Sequence, residues 1–248
     1  MRYFIILSYN GAAFSGWQIQ KNAKSVQQEV QNALTLLLKE PITLTGAGRT
    51  DAGVNAIDYV AHFDSSYTFQ NCPYICYKLN AILPKEISIG AILPVKPQAH
   101  ARFDATSRCY KYYIHTFKDP FCAPFSHFVK GEPSLERMNR AASILLGKHD
   151  FSAFEKAGGG NKTSICNVME AKWERLSEHR YLFTVRADRF LRNMVRAMAG
   201  SLLEVGLGKR EPEWIAGVLA SGNRCKAGQS VPSNALFLVD ITYPYSLK

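Results

Sequence analysis

The stretch Gly46-Ala47-Gly48-Arg49-Thr50-Asp51-Ala52-Gly53-Val54-Asn55-Ala56 carries one guanidinium and one carboxylate two positions apart, between glycines. A carboxylate on such a loop can act as nucleophile or base, and a planar guanidinium can grip a phosphate or fill a flat space. The plain alternative is a surface loop whose Arg49 and Asp51 form an exposed ion pair of little consequence. Other chemistries have fewer residues to stand on. The histidines at 62, 100, 115, 127, 149 and 179 show no helical pair spacing, and no phosphate-binding glycine string is present. The six cysteines at 72, 76, 109, 122, 166 and 225 have no Cys-x-x-Cys spacing, so reduced thiols are expected. The expectation is therefore carboxylate chemistry with no metal and no cofactor.

Something must position that loop. Ile42-Thr43-Leu44-Thr45 before it has strand composition, and Ile57 to Asp64 after it alternates Ile57, Tyr59, Ala61, Phe63 against Asp58, Val60, His62, Asp64. Met1 to Tyr9 is too short an apolar run for a signal peptide and reads as a first strand. Ser25 is an expected N-cap, with Gln28 completing a capping box, for a helix burying Val26, Val30, Ala33, Leu34, Leu37 and Leu38 and ended by Pro41. A helix over about 73–82 and a strand over 87–93 complete the order βαββαβ.

The second half repeats that order. Arg108 to Phe117 reads as a strand, and Pro133-Ser134 opens a helix with Leu135, Met138, Ala142, Leu145 and Leu146 on one face, stopped by Gly147. Strands follow over 165–174 and 181–188. A helix from about Phe190 to Val205 puts Arg189, Arg192 and Arg196 on a basic stripe beside Leu191, Val195, Met198 and Leu202; taken alone, that stripe reads as a solvated face. A helical patch near Trp214 and a strand over 235–242 close the set. The expected class is α+β: two ferredoxin-like (RRM-like) βαββαβ units with antiparallel sheets, residues 1–105 with the loop 46–56, and residues 106–248.

Of 248 residues, 30 are Lys or Arg and 20 are Asp or Glu, a net charge of +10 with a pI near 9.3. That balance favours a polyanionic partner over a cationic one. No apolar run approaches membrane-spanning length, so a soluble, cytoplasmic protein is expected. Lys156 and Lys162 flank Gly158-Gly159-Gly160, a basic loop that reads either as a connector or as an RNA contact.

The string Gly48 to Ala56 closely resembles the signature of the TruA family of tRNA pseudouridine synthases. More pieces match in the same order: Tyr9-Asn10-Gly11, Phe14 to Gln18, Ser25-Val26-Gln27, Asn80 to Pro84, His100 to Arg108, Met194-Val195-Arg196, and Leu236 to Pro244. Asn55 stands where the family usually has His, and Ala235 where it usually has Gly. The resemblance implies the pseudouridine synthase fold with its active-site cleft between the two units, and a homodimer acting without cofactor. It implies isomerisation of uridine to pseudouridine in the anticodon stem-loop of tRNA, at tRNA positions 38–40. It further implies Asp51 as nucleophile, Arg196 as the cation beside it, Tyr110 against the target base, and Arg49 filling the space that base leaves. A phosphate contact is the other role open to Arg49. A nucleophilic carboxylate must be ionised, and burial against a base opposes that charge unless a cation answers it. Asn55, Arg192, Lys156 and Lys162 complete the expected substrate contacts.

Two other classes compete. A non-catalytic RRM-like RNA-binding protein would display an aromatic RNP string, which this chain lacks. A glycosidase or nucleosidase would pair Asp51 with a second carboxylic acid, and Asp58 is the nearest in sequence.

Overall fold

A computed structural model describes residues 1–156, 158 and 163–247. The fold is mixed α/β and divides into two compact units, Met1–Thr106 with Leu238–Lys248, and Ser107–Phe237. The described helices include none long and apolar enough to cross a membrane.

The first unit runs β1 (Arg2–Tyr9), a 3-10 turn at Gly11–Ala13, α1 (Val26–Leu38), β2 (Thr45–Gly46), β3 (Asn55–Asp64), α2 (Cys72–Ile82) and β4 (Ile87–Pro94). β1 lies between β3 and β4, antiparallel to both, and β2 pairs with β3. Ser25 caps α1 as expected, its Oγ accepting from the Gln28 N–H at 3.3 Å. The Gln28 side chain turns instead to Asn32 Oδ1 at 2.7 Å, so the capping box is only half made.

The expected strand over 42–45 shrinks to Thr45–Gly46. Side chains of α1 satisfy the backbone there: Gln27 Nε2 donates to Leu44 O at 2.6 Å and Gln31 Oε1 accepts from Leu44 N at 3.1 Å. With both groups paired, nothing drives Leu44 onto a strand ladder. In β3 the expected alternation is broken by a bulge. Leu7 faces Tyr59 while Tyr9 faces Ala56, and Asp58 sits inside the extra residue at φ 51°. Ile57 is thereby left 45 % exposed, while Tyr59 to Phe63 are buried on both faces.

The second unit runs β5 (Ser107–His115), β6 (His127–Phe128), α3 (Leu135–Ser143), β7 (Gly147–Asp150), β8 (Ile165–Ser177), β9 (Arg180–Ala187), α4 (Met194–Gly206) and α5 (Trp214–Ser221). The last strand, β10 (Leu236–Thr242), starts at the end of this unit and continues into the first. β9 lies between β5 and β8, antiparallel to both, and β7 extends the sheet from β8. α3, capped by Ser134 Oγ on the Arg137 N–H, stops at Ser143. Leu146 is consequently exposed and Gly147 opens β7 at φ 93°.

The largest correction concerns α4. It begins at Met194 rather than near Phe190, because Asn193 is left-handed at φ 66° and ends any helix running into it. Arg189, Leu191 and Arg192 precede the helix, so the three arginines do not share a helical face. Every residue of α4 is buried except Arg196 and Glu204. Arg196 is thus a cation on a core helix, and the solvated basic stripe does not exist.

Candidate active site

The loop carrying Asp51 is built on an aromatic platform. Tyr59, on β3 beneath the loop, donates its hydroxyl to Gly48 O and accepts the Gly48 N–H at 3.3 Å. Its ring packs on Trp17 at 4.2 Å between centroids, with Tyr9 edge-on at 5.8 Å. Gly46 leaves room for this cluster: a Cβ there would stand 2.1 Å from the Tyr59 hydroxyl and 2.5 Å from the Trp17 ring. The Tyr9 and Thr50 hydroxyls share a buried bond of 2.9 Å. Thr50 is therefore committed to the scaffold.

A second support comes from the segment after β1. Trp17 N donates to Thr50 O at 3.3 Å, and Gly53 N donates to Phe14 O at 3.2 Å. Backbone meets backbone so closely that a Cβ on Gly11 would lie 2.2 Å from Val54 O, and one on Gly16, itself at φ 92°, 2.3 Å from Thr50 O. These contacts explain why Tyr9-Asn10-Gly11 and Phe14 to Gln18 belong with a loop some forty residues downstream: they are its seat.

Asp51 is half-buried on this seat and Arg49 is exposed. Arg49 makes no ion pair with any described residue, so the exposed Arg49–Asp51 pair is not formed and the guanidinium is available to a ligand. Asn55 is only 2 % exposed, and its Oδ1 accepts the Gly11 N–H at 2.9 Å. It fastens the loop to the Gly11 turn. Asp58, exposed on the bulge, donates its N–H to Ser8 Oγ at 3.1 Å.

The second unit supplies the other expected groups. Tyr110 on β5 is buried, its ring edge-to-face with Phe190 at 5.1 Å and 87°. Tyr112 is packed away, its hydroxyl donating to Pro232 O at 3.0 Å, and burial holds that phenol protonated well above its ordinary range. Tyr113 packs edge-on against Phe237. Arg196 is fixed by Val231, whose carbonyl accepts from Arg196 Nε at 2.7 Å and whose N–H donates to Arg196 O at 3.3 Å. Lys156 and Arg192 are both exposed, and the Lys156 N–H donates to the Arg192 carbonyl at 3.0 Å. That bond makes the backbones of two basic residues neighbours although they lie 36 positions apart, a pairing no sequence spacing announces. Lys162, with most of the basic loop it belongs to, lies outside the described residues. No cluster of three metal-ligating side chains occurs among the described residues.

A family model described as tRNA pseudouridine synthase matches residues 141–244, which gives the class: a pseudouridine synthase. Curated relatives named tRNA pseudouridine synthase A extend the match over nearly all of the chain. The protein from Parabacteroides distasonis is 49 % identical over 99 % of this chain and 97 % of its own length. That from Bacteroides fragilis is 47 % identical over 99 % and 98 %, and that from Shewanella amazonensis 37 % over 99 % and 94 %. The chain belongs to the tRNA pseudouridine synthase A family. Among solved structures, a chain of the archaeal box H/ACA sRNP Nop10-Cbf5 complex overlaps at a TM-score of 0.40 and 13 % identity, covering 82 % of this chain and 44 % of that one, a likeness too slight to argue from.

Proposed function

We propose that this enzyme isomerises uridine to pseudouridine in the anticodon stem-loop of tRNA, at tRNA positions 38–40, with Asp51 as nucleophile. The N1–C1′ bond of the nucleoside breaks, C5 of the same uracil bonds to C1′, the C5 hydrogen leaves and N1 takes a proton. Atoms and electrons balance with no outside reactant. Full-length identity to enzymes of that name supports the reaction. The observation that carries the site is the Asp51 loop: its threonine is used internally, its asparagine is buried and its arginine is exposed and makes no ion pair among the described residues.

In this reading Arg49 enters the stem where the target base has left it, an extrusion costing a few kcal/mol. Arg196 is the catalytic cation, and Tyr110 lies against the uracil. Lys156, Arg192 and Lys162 bind phosphates, while Asn55 acts on the loop. The enzyme works as a cytoplasmic homodimer.

We also read the two halves as ferredoxin-like repeats. The order β4-β1-β3-β2 supports this for the first, and the succession β5, α3, β8, β9, α4, β10, with β9 between β5 and β8, for the second. Substrate choice is tested with tRNA transcripts labelled with tritium at uridine C5. Replacing the uridines of the anticodon stem-loop by cytidine abolishes tritium release in this reading, and undiminished release from such a transcript refutes the assignment.

A further inference from the structure

The strap 224–232, which links the short α5 region to β10, lies on α4 and holds the residue that bears on Arg196. Arg224 opens it. Its guanidinium donates to Gly228 O at 3.0 Å, Ala227 O at 3.4 Å and Ser230 Oγ at 2.8 Å, and it pairs with no carboxylate among the described residues. A cation spent wholly on neutral oxygens of its own loop is fixing that loop's shape. Ser230 Oγ also accepts from Asn193 Nδ2 at 2.6 Å, so one hydroxyl joins the strap to the left-handed residue from which α4 starts.

The next residue, Val231, makes the two-way bond with Arg196, side chain and backbone both. Downstream on the helix the strap is seated again. Ser201 Oγ accepts the Gly228 N–H at 2.8 Å, and Gly200 has no side chain because a Cβ would fall 1.9 Å from Gln229 O. Arg196 is one of two residues of α4 that are not buried, and its Nε is committed to a carbonyl whose place is set by this strap.

We propose that Arg224 and Ser230 are positioning residues for the reaction: they shape the 224–232 strap so that Val231 O takes Nε of Arg196 and holds that guanidinium in its working orientation. This rests on the reading of Arg196 as the cation that serves Asp51. An arginine with five N–H groups in a rigid fork is oriented by pinning one of them, and a reacting group displaced by about 1 Å can lose on the order of a hundredfold in rate.

The test compares Arg224→Ala, Arg224→Lys, Ser230→Ala, Arg196→Ala and wild type for single-turnover tritium release, tRNA dissociation constant, melting temperature and the pH–rate profile. Arg224→Ala and Ser230→Ala are expected to slow turnover by roughly ten- to a hundredfold, with tRNA affinity within about twofold and the acid limb of the profile moved to higher pH. Arg224→Lys keeps the charge without the fork and is expected to fail as the alanine does. If Arg196→Ala is severely impaired while the Arg224 and Ser230 variants turn over normally, the strap only adds stability and the proposal is overturned. A fall in melting temperature at unchanged rate and pH profile overturns it equally. If Arg196→Ala itself turns over normally, the catalytic reading beneath it fails instead.

Discussion

Gly11→Ala should damage catalysis although residue 11 is forty positions from Asp51 in sequence. The new Cβ would stand 2.2 Å from Val54 O, 2.6 Å from Val54 C and 2.7 Å from Gly53 C, all backbone atoms that no rotamer change can remove. Restoring ordinary contact requires the Gly53–Val54 backbone and the Gly11 turn to separate by about 1 Å. The displaced segment follows Asp51 directly, and Val54 N donates to Asp51 O at 3.2 Å. Overpacking of this kind costs about 1–3 kcal/mol in stability, and a 1 Å error in a reacting group costs on the order of a hundredfold in rate. Single-turnover tritium release and thermal melting measure both. The control is Gly48→Ala, inside the loop itself, where a Cβ meets nothing within 4 Å; it should melt and turn over near wild type. Gly11→Ala with wild-type rate and melting temperature would refute the claim that this close approach seats Asp51.

Two further outcomes are expected. His62 is buried with Nδ1 accepting the Ala101 N–H at 3.2 Å, which requires the neutral ring. Burial first, then His100 and Arg2, push it down to about 4, with Asp64 and Asp104 pulling the other way. The unfolded chain therefore binds the proton more readily. Stability is complete above pH about 6.5 and is lost as the pH falls toward about 4, by roughly 2 kcal/mol at pH 5. Urea unfolding of wild type and His62→Gln at neutral and acid pH checks this, and an acid slope of equal size in the variant contradicts it. Affinity for tRNA should fall steeply with salt, since a chain of net charge +10 binding phosphate releases counterions; a flat salt series would mean the positive surface is not the binding surface.

Local signals were the legible ones. Ser25 and Ser134 cap helices because a hydroxyl followed by an amphipathic run is decided within one turn. The Asp51 loop stood out through its composition and its family resemblance, but its seat did not. Nothing in the spacing of Gly11, Gly16, Trp17 and Tyr59 shows that they meet beneath it. The start of α4 is hidden in the sequence because Leu191, Val195 and Met198 keep helical spacing straight through Asn193, which is left-handed and whose side chain bonds to Ser230. Residues 42–44 have strand composition, yet glutamines on α1 take both backbone groups of Leu44. In each case a partner distant in sequence overrode a local preference, and the Arg224 strap is legible only from such partners.

The central claim is that Asp51 performs an isomerisation within tRNA, and Asp51→Asn tests it most directly because it removes the charge while preserving size. Wild type and variant are incubated with a C5-tritiated tRNA transcript, and pseudouridine, released tritium and free uracil are measured alongside tRNA binding. Wild type should form pseudouridine with matching tritium release and no free uracil, while folded Asp51→Asn binds tRNA with similar affinity, which rests on phosphate contacts, and forms none. Near wild-type turnover by Asp51→Asn, or free uracil and an abasic site left by the wild type, would contradict the account.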